Sequence, residues 1–140
     1  TVNLQLVLAK PAVPVATRQA YRWLAEVPRE PSPSPDAMLQ ALATGSARQI
    51  ASCLWNDFEK VILPRIAPCA QLKERLIELG ALGALLCGSG SGVFGIFDTA
   101  AAAIASADQL RQEGWWAIQT AISERAIELS KNELLTLPGT

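Results

Sequence analysis

Histidine is absent from the 140 residues of this sequence, and cysteine is scarce. Without histidine, Ser-His and Cys-His nucleophilic pairs are excluded. The three cysteines, Cys53, Cys69 and Cys87, lie far apart and form no CxxC motif, so the sequence predicts no metal site. We interpret them as three buried thiols of a protein in the reducing cytoplasm.

The sequence also lacks an excess of positive charge and a long apolar run. Its 12 Lys and Arg residues stand against 13 Asp and Glu residues, for a formal net charge of −1. Nucleic-acid backbones are bound by a basic stripe, and none is visible. No apolar run approaches the roughly 20 residues of a membrane span, and we expect no signal peptide. We therefore predict neither a nucleic-acid nor a membrane partner.

Hydrophobic residues, by contrast, make up half of the chain. A chain of this length and composition predicts one domain with a sizeable core, over residues 1–140. A strand pattern begins almost at Thr1, which is not a methionine, so we expect the chain to be one part of a longer protein.

Hydrophobic periodicity predicts four strands separated by helices. The first strand alternates, with Leu4, Leu6 and Leu8 on one face. The predicted strands cover residues 2–9, 82–87, 93–97 and 115–122. The predicted helices cover residues 18–27, 36–44, 46–55, 56–63, 68–80 and 99–112. The tail from Ser123 is compatible with a short helix or an irregular segment.

Several residues predict where these helices begin and end. Thr17 is a candidate N-cap, and Ser34 followed by Pro35 is a typical helix start. Asp98 or Thr99 would cap the last helix, and Gly80 is suited to ending the helix at 68–80. The element order predicts an α+β fold of the ferredoxin-like type: an antiparallel sheet with helices packed on one face.

Five residues between two of the short strands contain only glycine and serine: Gly88, Ser89, Gly90, Ser91 and Gly92. We call them the Gly-Ser segment. A slack linker is disfavoured because the flanking strands are too short to stand alone. A hairpin turn and an anion-binding loop of free backbone N–H groups remain equally compatible with the local sequence.

Three stretches of the chain resemble one kinase superfamily. The stretch "GALGALLCGSGSGVFGIF" resembles the third motif of the GHMP small-molecule kinases. Within them, "LVLAKPAVPVATRQAY" is similar to the segment that opens the C-terminal half of the 4-diphosphocytidyl-2-C-methyl-D-erythritol kinase family. The stretch "WNDFEKVILPRIAPCAQLKERLIELGA" is similar to that family's Asn-Asp-Leu-Glu region. The resemblance covers roughly Leu4 to Ile122.

This resemblance implies a function. The family uses ATP with Mg²⁺ to phosphorylate the 2-hydroxyl of a cytidine-diphosphate-linked methylerythritol, a step of the non-mevalonate route to isoprenoids. The ATP-binding and catalytic residues would lie in an N-terminal domain that is absent from this chain, which we therefore expect to be inactive by itself. The alternatives are another GHMP kinase, of the homoserine or mevalonate type, a ferredoxin-like small-molecule-binding regulatory module, and a structural interaction domain.

The resemblance also implies site residues. Tyr21 matches the aromatic that stacks on cytosine, and its position outside the apolar face of the predicted helix also favours its exposure. Thr17 matches a threonine near the substrate. Lys10 and Pro11 match the loop beside the nucleotide. The Gly-Ser segment matches a loop near the phosphate-transfer centre. Three further matching residues are interpreted as turn or cap residues at a helix junction: Asn56, Asp57 and Glu59.

Overall fold

A four-stranded sheet forms the centre of the computed structural model, which describes residues 3–123. The strands are β1 (Asn3–Lys10), β2 (Gly83–Leu86), β3 (Val93–Phe97) and β4 (Trp116–Ser123). The helices of this part of the chain are α1 (Thr17–Glu26), α2 (Pro35–Thr44), α3 (Ala47–Ser52), α4 (Glu59–Ile62), α5 (Ala67–Glu78) and α6 (Ala100–Gln112). The predicted alternatives for the tail concern residues beyond this range.

The strand order is β2-β3-β1-β4, and each neighbouring pair is antiparallel. With α5 before β2 and α6 before β4, this is the predicted ferredoxin-like arrangement, and the α+β fold class is confirmed. Helices α1 to α4 are additional elements between β1 and α5.

The main core lies on one face of the sheet. Val7 and Ala9 of β1 and Phe97 of β3 are buried there. They pack against Leu72 and Leu76 of α5 and against residues of α6. Burial of these apolar side chains supplies the main driving force for packing α5 and α6 on the sheet.

In addition to the predicted packing of helices on one face, the opposite face of the sheet is also covered in part. Leu4, Leu6 and Ile96 are buried against Ala41 of α2 and Ile50 of α3. The physical reason is visible in β1, where both alternating sets of residues are apolar. A strand of this kind needs cover on both faces.

The predicted helices at 46–55 and 56–63 are shorter than expected. Helix α3 ends at Ser52, and α4 begins only at Glu59. Between them, the Oδ1 atom of Asn56 accepts a hydrogen bond from the N–H of Phe58 at 3.0 Å. Asparagine side chains compete in this way with helical hydrogen bonding, and here the competing turn separates the two helices.

Most of the predicted helix ends are confirmed. Ser34 caps α2, its hydroxyl accepting a hydrogen bond from the N–H of Asp36 at 3.2 Å. Thr99, rather than Asp98, caps α6. Gly80 follows α5 with a φ of 108°, where the Gly80 N–H donates to Ile77 and the Ala81 N–H donates to Leu76. This is the Schellman pattern of helix termination.

We expect the stability of this fold to fall at low pH through Glu113. Two hydrogen bonds of 2.9 and 2.8 Å from Arg75, and one from Gln109, lower the pKa of Glu113 to about 2 from its ordinary 4.5. A carboxylate with a lowered pKa stabilises the fold above its ordinary pKa, and this contribution is lost as the pH falls toward the lowered value. In urea unfolding, Glu113→Gln should be less stable than the wild type near neutral pH, and the difference should shrink between about 4.5 and 2.

Glu74→Gln is the matched control, because Glu74 is exposed on α5 and has no ion pair within residues 3–123. A stability difference for Glu113→Gln that stays constant over this pH range would contradict the assignment.

Candidate functional site

The Gly-Ser segment forms the connection of the β2–β3 hairpin. The Cys87 N–H donates to the Gly92 carbonyl at 2.8 Å, and the Gly90 N–H donates to the Cys87 carbonyl at 2.9 Å. Gly88 and Gly90 have φ values of 53° and 91°, which favour glycine. The backbone N–H groups of Ser89 and Ser91 have no acceptor within residues 3–123. The turn is therefore a hairpin that also presents free donors, as an anion site requires.

The beginning of α1 lies beside this segment. The hydroxyl oxygens of Thr17 and Ser89 are 3.5 Å apart, although 72 residues separate them in the sequence. The prediction that Thr17 caps α1 is wrong, because the helix begins one residue earlier, with Ala16 in the N-cap position and no side-chain cap. The Thr17 hydroxyl is therefore not used for capping and faces the Gly-Ser segment instead.

Lys10 and Pro11 also lie beside the Gly-Ser segment. Together with Gly90 and Ser91 they line a cavity of about 450 Å³, whose remaining wall is the extended segment of residues 12–15. The Lys10 ammonium lies 5.0 Å from the centre of the ring of Trp116, its partner on β4, in a cation–π contact. The predicted loop residues are therefore brought next to the predicted glycines and serines.

Tyr21 lies one helical turn beyond Thr17, on the same side of α1. Its side chain is 59% exposed, as expected from its position outside the apolar face of the helix. The ring makes an edge contact with Phe58, with ring centres 5.0 Å apart and planes at 84°. The two rings therefore pack edge to face, and the exposure of Tyr21 leaves part of its aromatic surface available for stacking.

A second cavity, of about 600 Å³, adjoins Tyr21 and does not include the Gly-Ser segment. Charged residues from the connection after α1 and from the region around the start of α4 line it, among them Arg29, Asp57 and Lys60. Lys60 forms an ion pair with Glu30 at 2.9 Å, and Asp57 accepts a hydrogen bond from the Trp55 indole N–H at 2.8 Å. The aromatic surface of Tyr21 is thus bordered by fixed polar groups.

The prediction that Asn56, Asp57 and Glu59 are turn or cap residues is confirmed for Asn56. It did not include the long-range contacts that Asn56 and Glu59 make with β2 and the Gly-Ser segment. Asn56 forms the turn before α4, and its amide nitrogen also donates to the carbonyls of Leu86 and Gly88. Glu59 accepts a hydrogen bond from the N–H of Leu86. No local pattern could reveal these contacts, because they join residues about 30 positions apart in the sequence.

The three cysteines differ in their surroundings. Only Cys69 is buried as predicted, whereas Cys53 and Cys87 are half-buried because they lie at the end of α3 and beside the Gly-Ser segment. Burial raises the pKa of both Cys69 and Cys87. The Cys69 thiol also donates a hydrogen bond to the Ser91 carbonyl at 3.3 Å.

We expect Cys69 to be the slowest of the three thiols to react with a disulfide reagent at mildly alkaline pH. Its thiol is inaccessible, and burial disfavours the thiolate that reacts. Mass spectrometry of peptides from the native and the urea-unfolded chain measures the labelling at each site. Rapid labelling of Cys69 in the native chain would show that this region opens readily.

Among residues 3–123, no cluster of three or more potential ligand side chains could hold a metal ion. Within the same range, no helix combines the length and the apolar character needed to cross a membrane.

Comparisons with known proteins place this fold in a family. Residues 37–114, more than half of the chain, match the family described as GHMP kinases C terminal. The chain is 45% identical over 95 residues to the 4-diphosphocytidyl-2-C-methyl-D-erythritol kinase of Symbiobacterium thermophilum, a match that covers 66% of this chain and 33% of that protein. The chain thus spans about a third of this relative.

Two solved structures resemble the chain. A crystal structure of 4-(cytidine 5′-diphospho)-2C-methyl-D-erythritol kinase is 28% identical, with a TM-score of 0.68 over 85% of this chain and 42% of that chain. Homoserine kinase from Cytophaga hutchinsonii is 19% identical, with a TM-score of 0.60 over 88% of this chain and 42% of that chain, and shows the shared fold alone. This chain belongs to the GHMP kinases and carries their C-terminal domain.

Proposed function

We propose that this chain is the substrate-binding, C-terminal part of a kinase that uses ATP to phosphorylate the 2-hydroxyl of 4-diphosphocytidyl-2-C-methyl-D-erythritol, a step toward isoprenoids. The observation that carries the proposal is the 3.5 Å approach of the Thr17 and Ser89 hydroxyls. It joins the start of α1, where Tyr21 lies one turn away, to the Gly-Ser segment. The relative with 45% identity bears the name of this kinase.

The positions of these groups suit a nucleotide-linked substrate. A cytosine ring stacked on the exposed face of Tyr21 would be held by an aromatic that is large and has few rotatable bonds. From Tyr21, the surface of α1 leads over one turn, about 5.4 Å of rise, to Thr17 and Ser89. There, hydroxyls and free N–H groups are available to a polar or phosphorylated group of the ligand.

The same region suits ATP only in part. The N–H groups of Ser89 and Ser91 can hold phosphate oxygens, and ATP supplies the phosphoryl group when bound. Among residues 3–123, no carboxylate lines the cavity beside Lys10 and the Gly-Ser segment, so this part of the chain offers Mg²⁺ no acidic oxygen ligands there. We therefore assign Mg²⁺, most of ATP and the base to an N-terminal domain outside this chain.

The proposal also specifies the binding partners of this chain and its location in the cell. The domain partner is the N-terminal part of the same kinase, and the small-molecule partner is the cytidine-linked substrate. Because both this substrate and ATP are diffusible metabolites, the proposed location is the cytoplasm.

A kinase of the homoserine or mevalonate type is the alternative within the superfamily. Its substrate carries no nucleobase, so an exposed aromatic such as Tyr21 would have no ring to stack on. The homoserine kinase structure supports the fold but not this substrate.

We expect the 140-residue chain alone to show no phosphoryl transfer from ATP to the cytidine-linked substrate. Transfer requires a base and charge neutralisation as well as positioning, and this chain supplies only positioning. A coupled assay of ADP release, with the Symbiobacterium kinase as the positive control, measures this directly. Turnover by the chain alone would contradict the proposed division between two domains.

A further inference from the structure

The outer edge of β2 is covered by side chains from the turn before α4 and from the first residue of α4, where another strand could otherwise pair. The Asn56 amide donates to the Leu86 carbonyl at 2.9 Å, and Glu59 accepts from the Leu86 N–H at 3.1 Å. Leu86 lies opposite Val93, next to the hydrogen-bonded pair of Cys87 and Gly92. In an antiparallel pair the backbone groups alternate in direction, so those of Leu86 point away from β3. The two side chains thus pair with the outward-facing backbone groups of β2, the edge strand in the described part of the sheet.

Asn56 extends this contact into the Gly-Ser segment. Its amide nitrogen also donates to the Gly88 carbonyl at 2.7 Å, while its Oδ1 atom accepts from the Phe58 N–H at 3.0 Å. Both N–H donors and the carbonyl oxygen of the carboxamide are therefore engaged. Aspartate at this position would keep the acceptor for Phe58 but lose both donors.

Glu59 completes the support with a fixed charge. Its Oε1 atom forms a 2.8 Å ion pair with Lys73 of α5, while its Oε2 atom accepts the Leu86 N–H. The Glu59 side chain is only 17% exposed, which favours a defined geometry over a mobile surface pair. The main core helix α5 is thereby linked to the last residue of β2.

The protein binds two carbonyl groups of the Gly-Ser segment and leaves two of its backbone N–H groups without a partner in residues 3–123. Asn56 binds the Gly88 carbonyl, and the Cys69 thiol binds the Ser91 carbonyl. The N–H groups of Ser89 and Ser91 have no acceptor within the described part of the chain. The carbonyls are thus fixed by the protein while neighbouring amides remain available to a ligand.

We propose that Asn56 is a positioning residue, which fixes the Gly-Ser segment in the shape that contacts the phosphoryl group as it is transferred to the substrate hydroxyl. Asn56 does not itself reach the ligand; it acts through Leu86 and Gly88. This inference rests on the proposed function for its catalytic part, whereas its structural part can be tested in the chain alone.

The structural test is amide hydrogen exchange in the 140-residue chain, comparing Asn56→Asp with the wild type. We expect the amides of Cys87 and Gly90, whose hydrogen bonds close the hairpin, to exchange roughly tenfold faster, while amides of β1 change little. Gln49→Glu makes the same amide-to-acid change on the exposed side of α3 and should leave both amides unchanged. Glu59→Gln, a milder change that keeps an acceptor for Leu86, should accelerate the same amides less, and provides the test if Asn56→Asp does not fold.

The catalytic test uses a joined enzyme, in which the N-terminal part of the Symbiobacterium kinase precedes this chain. Misplacing a positioned group can cost on the order of 10- to 100-fold in rate. We therefore expect Asn56→Asp to lower kcat by about 10- to 100-fold, with the KM for the cytidine-linked substrate within about twofold, because Tyr21 is untouched. A loss of folded enzyme alone would also lower the apparent kcat at constant KM, so kcat is calculated per active site, counted by active-site titration. A merely structural role would leave this kcat unchanged.

The outcomes are distinguishable. Faster exchange at Cys87 and Gly90, together with lower kcat at constant KM, supports the proposal. Unchanged exchange in both Asn56→Asp and Glu59→Gln overturns it, as does unchanged kcat in a variant whose segment has loosened. An inactive wild-type joined enzyme that is folded and binds ATP would instead count against the proposed function.

Discussion

Replacing Tyr21 with alanine is expected to weaken binding of the cytidine-linked substrate by about 5- to 150-fold. Stacking of a base on an aromatic side chain contributes about 1–3 kcal/mol, which corresponds to that range. Tyr21 is 59% exposed and packs edge to face with Phe58, so part of its aromatic surface is free to make this contact. The KM for ATP should remain within about twofold, since the ring lies away from the Gly-Ser segment.

Steady-state kinetics of the joined enzyme, with each substrate varied in turn, measures this effect. Tyr21→Phe is the matched control, because it keeps the aromatic face and removes only the hydroxyl, and it should behave like the wild type. Equal losses for ATP and the cytidine-linked substrate would contradict the stacking role. So would a Tyr21→Phe variant as weak as Tyr21→Ala.

Replacing Gly90 with alanine is expected to lower the free energy of unfolding by roughly 1–3 kcal/mol. Its φ of 91° is a conformation that residues with a Cβ atom rarely adopt. An added Cβ would also lie 3.2 Å from the Leu86 Cδ1 atom, so that side chain must move slightly. The backbone conformation accounts for most of the expected cost, because the end of the leucine side chain can adjust.

Urea unfolding of the chain measures this difference, and Gly92→Ala is the matched control in the same hairpin. Gly92 has no positive φ, and a Cβ there would lie at ordinary contact distances, the nearest being 3.7 Å from the Ala9 carbonyl oxygen. Gly92→Ala should therefore change stability by less than about 0.5 kcal/mol. Similar losses in both variants would show that the hairpin is not strained at Gly90 in the way we describe.

Local sequence signals were sufficient where a feature depends on neighbouring residues. Ser34 and Pro35 predicted the start of α2, and Gly80 predicted the end of α5, because capping and left-handed backbone geometry are local properties. The exposure of Tyr21 followed from its position on α1 relative to the apolar face. Thr17 shows the limit of such signals, since the helix began one residue earlier than its capping preference suggested.

Features that depend on distant contacts were not predictable from the sequence pattern. The Asn56 amide donates to the carbonyls of Leu86 and Gly88, which lie 30 and 32 residues further along the chain. Helices α2 and α3 pack on the second apolar face of β1, and this packing was not predicted. The approach of Thr17 to Ser89 was not predicted, because the two residues are 72 positions apart in the sequence.

The central claim is that this chain selects a cytidine-diphosphate-linked alcohol for phosphorylation by an N-terminal catalytic domain. The most direct measurement is phosphoryl transfer by the joined enzyme to 4-diphosphocytidyl-2-C-methyl-D-erythritol and, separately, to homoserine. We predict transfer from ATP to the cytidine-linked substrate and none to homoserine. Transfer to homoserine alone, or no transfer by a folded joined enzyme that binds ATP, would contradict the claim.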